Sequence, residues 1–143
     1  MSAINYRELR NYFRTLLIPG IILEANFAFE DRPFKSGNDM YVEESVSILN
    51  EDKQFGGDST SMQLLFTYNV IHRDNKNANR IEDIEDLRDS MIGVFNAIKS
   101  FQLSASGNSV SVIEYVRRPG VNDSRVGARF SPIDVIATIN KEQ

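Results

Sequence analysis

The chain of 143 residues contains no cysteine, which excludes a disulfide scaffold, a thiol nucleophile and cysteine-ligated zinc or iron–sulfur sites. It has one histidine, His72, and no G-x-S-x-G or comparable element to supply a nucleophile beside it. No apolar run approaches the ~20 residues of a membrane-spanning helix, and the N-terminus lacks the apolar segment of a signal peptide. We therefore expect a soluble protein that is not an enzyme, with His72 at the surface near a strand end.

Basic charge is also scarce. Sixteen Lys and Arg residues against 20 Asp and Glu give a net charge of −4. Such a chain gains little from the counterion release that drives non-specific nucleic-acid binding, so nucleic acid is not an expected partner. The lack of a long apolar run likewise predicts no membrane partner. Acids gather at residues 82–89, where they complement the positive end of a helix dipole. Without an EF-hand pattern they predict no metal, and no cofactor is predicted.

Hydrophobic periodicity predicts a strand and a helix at the centre of the chain. Side chains alternate between apolar and polar over residues 62–73, which is typical of a long half-buried strand. Asn79 and Glu82 then have the spacing of a capping box at a helix start. The helix that follows carries one apolar stripe, formed by Ile81, Ile84, Leu87, Met91, Phe95 and Ile98.

The remaining pattern predicts one more helix and four more strands. The helix covers residues 4–17 and ends at Pro19-Gly20, and strands follow at 21–29 and 40–49. Three consecutive strands without a helix between them predict an antiparallel meander. After the second helix, strands are expected at 110–117 and 126–139. The apolar parity of the last strand flips at Ser131-Pro132, which predicts a one-residue bulge there.

The predicted fold is α+β, a single domain over residues 1–143. A mainly antiparallel sheet of about five strands carries two helices packed on one face, in the order helix–β–β–β–helix–β–β. In this arrangement the central strand and helix act as scaffold. Any functional surface is expected in the segments 30–39, 50–60 and 117–129.

These segments hold two kinds of candidate interface residue. Aromatic side chains in or beside polar loops either anchor a partner or fold back on the chain's own core. Arginines around the 118–124 hairpin either contact an acidic patch on a neighbouring protein or protect a sheet edge. Glu43 and Glu44 offer opposite charge on a separate surface. The candidate residues are Arg32, Phe34, Tyr41, Phe55, Arg117, Arg118, Arg125 and Arg129.

The order of elements resembles that of the tail terminator proteins of long-tailed bacteriophages. An N-terminal helix precedes a strand ending near Phe29, and a loop with Arg32-Pro33-Phe34 leads into a strand at Tyr41-Val42. A polar glycine loop then precedes the strand at 62–73. Asn79 opens a helix whose end carries Phe95. The likeness extends over residues 4–139.

The resemblance implies a structural protein of the virion, made in the host cytoplasm. Such a subunit forms a ring with copies of itself, a hexamer in that family, which caps the tail tube and stops its polymerisation. Its partners would be the tail tube protein, neck and connector proteins, and a sheath protein in contractile tails. The alternatives are another neck or tail-completion adaptor, or a small-molecule-binding α+β module or enzyme using a cleft between helices and sheet.

Overall fold

The computed structural model of the protein describes residues 4, 6–18, 20–22, 27–28, 40–53, 59–72, 80–104, 106–123 and 128–141. Over these residues, two helices and one mixed sheet of seven strands form an α+β fold. The elements in chain order are α1 (Tyr6–Leu17), β1 (Phe27–Ala28), β2 (Met40–Lys53), β3 (Ser59–His72), α2 (Arg80–Ala97), β4 (Ser100–Gln102), β5 (Ser109–Arg117), β6 (Val121–Asp123) and β7 (Ala128–Asn140).

The sheet has the strand order β1-β2-β3-β7-β5-β4, and β6 pairs with β7 beyond the end of β5. In the sequence β2-β3-β7-β5, each strand is antiparallel to the next. The prediction of an α+β fold is confirmed, but the described sheet has seven strands rather than about five. Four strands follow α2 instead of two, so the predicted order of elements is also wrong. The additional strands β4 and β6 have three residues each, too few for a period of two to stand out.

The predicted three-strand antiparallel meander is half right. β2 and β3 form a long antiparallel hairpin, as expected. β1 instead pairs parallel with β2, through Phe27 opposite Val42 and Ala28 opposite Glu43. Apolar alternation does not report strand direction, because both kinds of pairing place successive side chains on opposite faces.

Both helices pack on the same face of the sheet, here called the helix face. The ring of Phe13 in α1 lies 4.8 Å from that of Phe66 in β3 and 5.0 Å from that of Phe95 in α2. Phe95 in turn stacks on Tyr68, with centroids 5.6 Å apart. Phe66 and Tyr68 have the same parity in β3, so this aromatic cluster fixes both helices to one side of the central strand.

The opposite side is here called the open face, and it explains the change of parity in β7. The register between β3 and β7 runs from Ser61–Asn140 to His72–Arg129 without a shift, so the predicted bulge at Ser131-Pro132 is wrong. Ile133 is buried on the helix face, whereas Phe130 packs on the open face. A second small cluster there contains Ala28, Tyr41 and Ile71 with Phe130 against it. β7 thus packs Phe130 on the open face near its start and buries Ile133 on the helix face further along.

Candidate functional site

Two arginines of the predicted basic hairpin, Arg118 and Arg129, lie on opposite faces of the sheet. Arg118 is half-exposed and its Nε lies 2.9 Å from Asp134 Oδ2 on the open face. Arg129 has the parity of Ile133 and lies on the helix face, half-buried, with its guanidinium against Gly120. A Cβ added at position 120 would sit 2.6 Å from Arg129 Nη2, so glycine permits this close approach. The backbone of Arg117 pairs with Ile133 in β7.

The predicted aromatic anchors have two different outcomes. Tyr41 is buried in the small cluster on the open face, which is the folded-back alternative and not an exposed anchor. Arg32, Phe34, Phe55 and Arg125 lie outside the described residues. The interface role of those four therefore stays a prediction.

Exposed apolar side chains mark both edges of the sheet. Of the described residues, the exposed large hydrophobic ones are Ile48 at 51%, Leu49 at 48%, Val116 at 39% and Val121 at 60%. Ile48 and Leu49 lie on β2, next to one edge of the sheet. Val116 and Val121 lie on β5 and β6, towards the opposite edge. These four residues could not be recognised from the sequence, because an apolar residue in a strand pattern is expected to be buried and nothing local marks the ones that stay exposed.

Arg88 of α2 holds the segment that carries Arg118. The residue is 4% exposed, and Nη2 donates to the backbone oxygens of Arg118 at 2.6 Å and Pro132 at 3.1 Å. Nη1 pairs with Glu85 at 2.9 Å. Pro132 O also accepts the backbone N–H of Arg118 at 3.1 Å. Arg88 stands four residues after the buried Ile84 and three before the buried Met91, so helical spacing alone could have placed it inside.

Replacing Arg88 with methionine is expected to loosen the segment between β5 and β6. The change removes the charged donor of a part-buried hydrogen bond to the carbonyl of Arg118, at a cost of about 1.5–3 kcal/mol. Native-state hydrogen exchange should therefore speed up at the backbone amides of residues 116–118, 120 and 121. Ser90→Ala, on the exposed side of the same helix, is the matched control. Equal protection in both variants would contradict the assigned role.

A buried ion pair connects α1 to the sheet. Glu44 is 1% exposed on the helix face, and its Oε1 accepts from Arg14 Nε at 2.8 Å and lies 2.7 Å from Nη2. The expectation that Glu44 offers surface charge is therefore wrong, and only Glu43, which is exposed, remains available. The sequence contained a signal for this pair. Glu44 shares parity with Val42 and Val46, and Arg14 stands beside the apolar stripe of α1.

Burial changes the proton affinity of this cluster. Removal from water raises the pKa of Glu44, and the hydrogen bond and charge of Arg14 oppose that rise without cancelling it. The hydroxyl of Tyr68 is fully buried nearby. Burial raises the pKa of Tyr68 well above its usual value, and the adjacent Glu44 carboxylate raises it further. The cluster is built into the contact between helix and sheet, where it positions α1 over β2.

His72 is 3% exposed and lies on the helix face, opposite Met40 in β2 and Arg129 in β7. The predicted surface position is therefore wrong. The parity that His72 shares with Tyr68 and Val70 already pointed inward.

A shallow groove of about 260 Å³ lies between α1 and the segment after β4. Its volume is below the roughly 300–1,000 Å³ typical of sites for small-molecule ligands. Among the described residues, no group of three or more His, Asp or Glu side chains could hold a metal ion. No helix in that part of the chain is long and apolar enough to cross a membrane. The groove is lined by Glu8, Asn11, Tyr12, Thr15, Leu103 and Ser104.

Comparison with known proteins supports the fold. No protein-family model matches the chain, and no curated protein matches it. A solved structure of a protein known only by a sequence number is similar to it, with a TM-score of 0.68 over 99% of both chains. The two sequences are 13% identical, so this likeness concerns the fold alone.

Proposed function

We propose that this chain is a subunit of the ring that caps the tail tube of a long-tailed bacteriophage. The observation that carries the proposal is the division of exposed apolar side chains between two opposite edges of one sheet. Ile48 and Leu49 stand on β2, and Val116 and Val121 on β5 and β6. A ring of identical subunits needs two different patches on each copy, since one patch must meet the other on the next copy.

Charged side chains are also divided between the two edges. The backbone N–H of Arg118 bonds to Pro132 in β7. Pro132 is opposite Asn69 in β3, and Asn69 is opposite Glu43 in β2. Glu43 and Arg118 therefore belong to one row across the sheet, and both side chains reach solvent, Glu43 near the β2 edge and Arg118 near the β5 edge. Opposite charges at the two sides favour the head-to-tail arrangement of copies over the pairing of like edges.

The identity of the ring rests on the resemblance in the order of elements between residues 4 and 139. In this role the chain stops polymerisation of the tail tube and presents a surface to the head connector. Its partners are copies of itself in a hexameric ring, the tail tube protein, neck and connector proteins, and a sheath protein if the tail contracts. It belongs in the virion, at the head-proximal end of the tail.

Electron microscopy of phage particles tests this function. A gold-labelled tag on the chain is expected only at the head–tail junction. When the gene is inactivated, tubes should lose their uniform length and remain without heads, and the wild-type gene supplied in trans should restore both. Label along the tube or at its distal end, or uniform tubes without the protein, would contradict the proposal.

A further inference from the structure

We infer that neighbouring copies in this ring overlap, with the helix face of the β2 edge in one copy packed on the open face of the β5–β6 edge in the next. Side chains form this contact, without backbone hydrogen bonds between copies, so the two sheets lie one above the other where they meet. The inference rests on the proposed ring and names the two surfaces through which its copies touch.

The first surface is the part of β2 that the helices leave uncovered. Val46 packs against the main core. Ile48, two residues further on, pairs with Leu64 and is 51% exposed. Leu64 is buried on the helix face, and directly paired residues share a face, so Ile48 belongs to the helix face as well. Residues 47–50 are all exposed and carry no charge. This corner of the helix face is therefore an uncharged surface with apolar side chains.

The second surface lies across the sheet, on the open face. Val121 is 60% exposed and pairs with Phe130, which packs on the small open-face cluster. Val116 is 39% exposed and pairs with Asp134 on the same face. The charge of Asp134 is compensated by its ion pair with Arg118. A second copy that covers this surface therefore buries apolar side chains without leaving a charge unpaired.

Neither edge is suited to strand pairing between copies. The register between β2 and β3 shifts between Ile48 and Asn50, so Leu49 is the extra residue of a bulge. A bulge bends and twists an edge away from the geometry that an added strand requires. The opposite edge is interrupted between β5 and β6, where Pro119 has no backbone N–H. Side chains that project from the two faces therefore provide the contact.

The faces of the two surfaces decide how the copies are arranged. In a sheet that continues from one copy to the next, side chains that meet at the boundary lie on the same face of both copies. Ile48 lies on the helix face, whereas Val116 and Val121 lie on the open face. These side chains meet when one edge lies above the other, as in two sheets that pack face to face. Strands of packed sheets cross at an angle, so the overlap needs no shared row of residues.

The occupant of each surface is another copy of this chain. Both surfaces present aliphatic side chains, and a rotation that lays the β2 edge of one copy over the β5–β6 edge of the next covers both surfaces of every copy. Symmetric pairing of two β2 edges stops at a dimer and leaves Val116 and Val121 exposed. Together with Ile48 and Leu49 these are the exposed large hydrophobic residues in the described part of the chain. One repeated contact therefore accounts for all four.

Cysteine cross-linking tests the overlap, and the natural absence of cysteine makes every cross-link specific to the introduced residues. The full chain carrying Ile48→Cys and Val121→Cys is treated with a short bismaleimide over a range of protein concentrations. Covalent multimers larger than a dimer are expected. The matched control carries Ser47→Cys with Val121→Cys, because Ser47 is an exposed residue of the same edge but pairs with Leu65 on the open face. This control and each single variant should stay at the monomer position.

Three results would overturn the inference. An equal or greater yield of multimers from the Ser47→Cys control would indicate a continued sheet, and a dimer from Ile48→Cys alone would indicate symmetric pairing. No multimer of the Ile48→Cys, Val121→Cys variant at any concentration would assign the two surfaces to other partners. The microscopy separates this failure from failure of the proposed function. Label at the head–tail junction without multimers leaves the function and removes the overlap. Multimers with label elsewhere do the reverse.

Discussion

Replacing Arg14 with methionine is expected to destabilise the protein by about 3–5 kcal/mol at neutral pH, because it leaves the Glu44 carboxylate buried without its partner. Glu44 is 1% exposed and its Oε1 depends on two nitrogens of Arg14. Urea unfolding followed by far-ultraviolet circular dichroism measures the loss as a lower midpoint at an unchanged slope. An unchanged midpoint would mean that the pair contributes nothing.

The pH dependence of this loss has a definite sign. Burial raises the pKa of Glu44 in the folded state. A carboxyl with a raised pKa favours folding fully below its unfolded pKa of about 4.3, and this contribution disappears as pH rises through the folded value. Removing Arg14 raises the pKa of Glu44 further. The gap between wild type and Arg14→Met should therefore be largest at neutral pH and shrink on acidification towards pH 4.

A second substitution separates the ion pair from packing. Glu44→Gln removes the buried charge, so adding it to Arg14→Met should restore about 1–3 kcal/mol and abolish the pH-dependent part of the loss. Glu43→Gln, one residue away on the open face, should restore nothing. Failure of Glu44→Gln to restore stability would assign the cost of Arg14→Met to lost side-chain packing instead.

The parts of the fold that the sequence predicts are those with long, regular periods. The alternation at 62–73 corresponds to β3, Ser59–His72, and the stripe from Ile84 to Phe95 to α2, Arg80–Ala97. The short strands β1, β4 and β6 have only two or three residues, and their pairing depends on where β2, β5 and β7 lie in space. Local pattern carries no such information.

The candidate surfaces follow a similar rule. Arg118 could be recognised as a surface charge from the sequence. Its ion pair with Asp134, sixteen residues further along the chain, depends on the pairing of β5 with β7. Glu44, Arg88 and His72 were polar residues at positions with inward parity, where the ordinary expectation of solvent exposure fails. The burial of Glu44 and Arg88 depends on partners from other elements, Arg14 of α1 for Glu44 and the backbone oxygens of Arg118 and Pro132 for Arg88. At these two positions a polar residue with inward parity marks a buried pairing, which the sequence pattern alone does not reveal.

The second large effect is expected from opposite charges placed on the two edges. Ile48→Glu and Val121→Lys alter residues that are 51% and 60% exposed, so neither should change the free energy of unfolding by more than about 0.5 kcal/mol. Each variant alone should weaken the association of copies by about 2–3 kcal/mol, roughly 30- to 150-fold. The reason is that every interface between two copies then buries a charge that has no partner. Sedimentation velocity measures that loss.

An equimolar mixture of the two variants should regain association. In an alternating ring, the β2 edge that carries Ile48→Glu in one variant meets the edge that carries Val121→Lys in the other. The next interface around the ring then has two unaltered edges. An even ring such as a hexamer can close in this way, because the two kinds of copy alternate around it. Ser90→Glu on α2 should leave association unchanged. Loss in both single variants without recovery on mixing would place the two edges in separate contacts, whereas recovery requires that edge β2 binds edge β5–β6 of another copy.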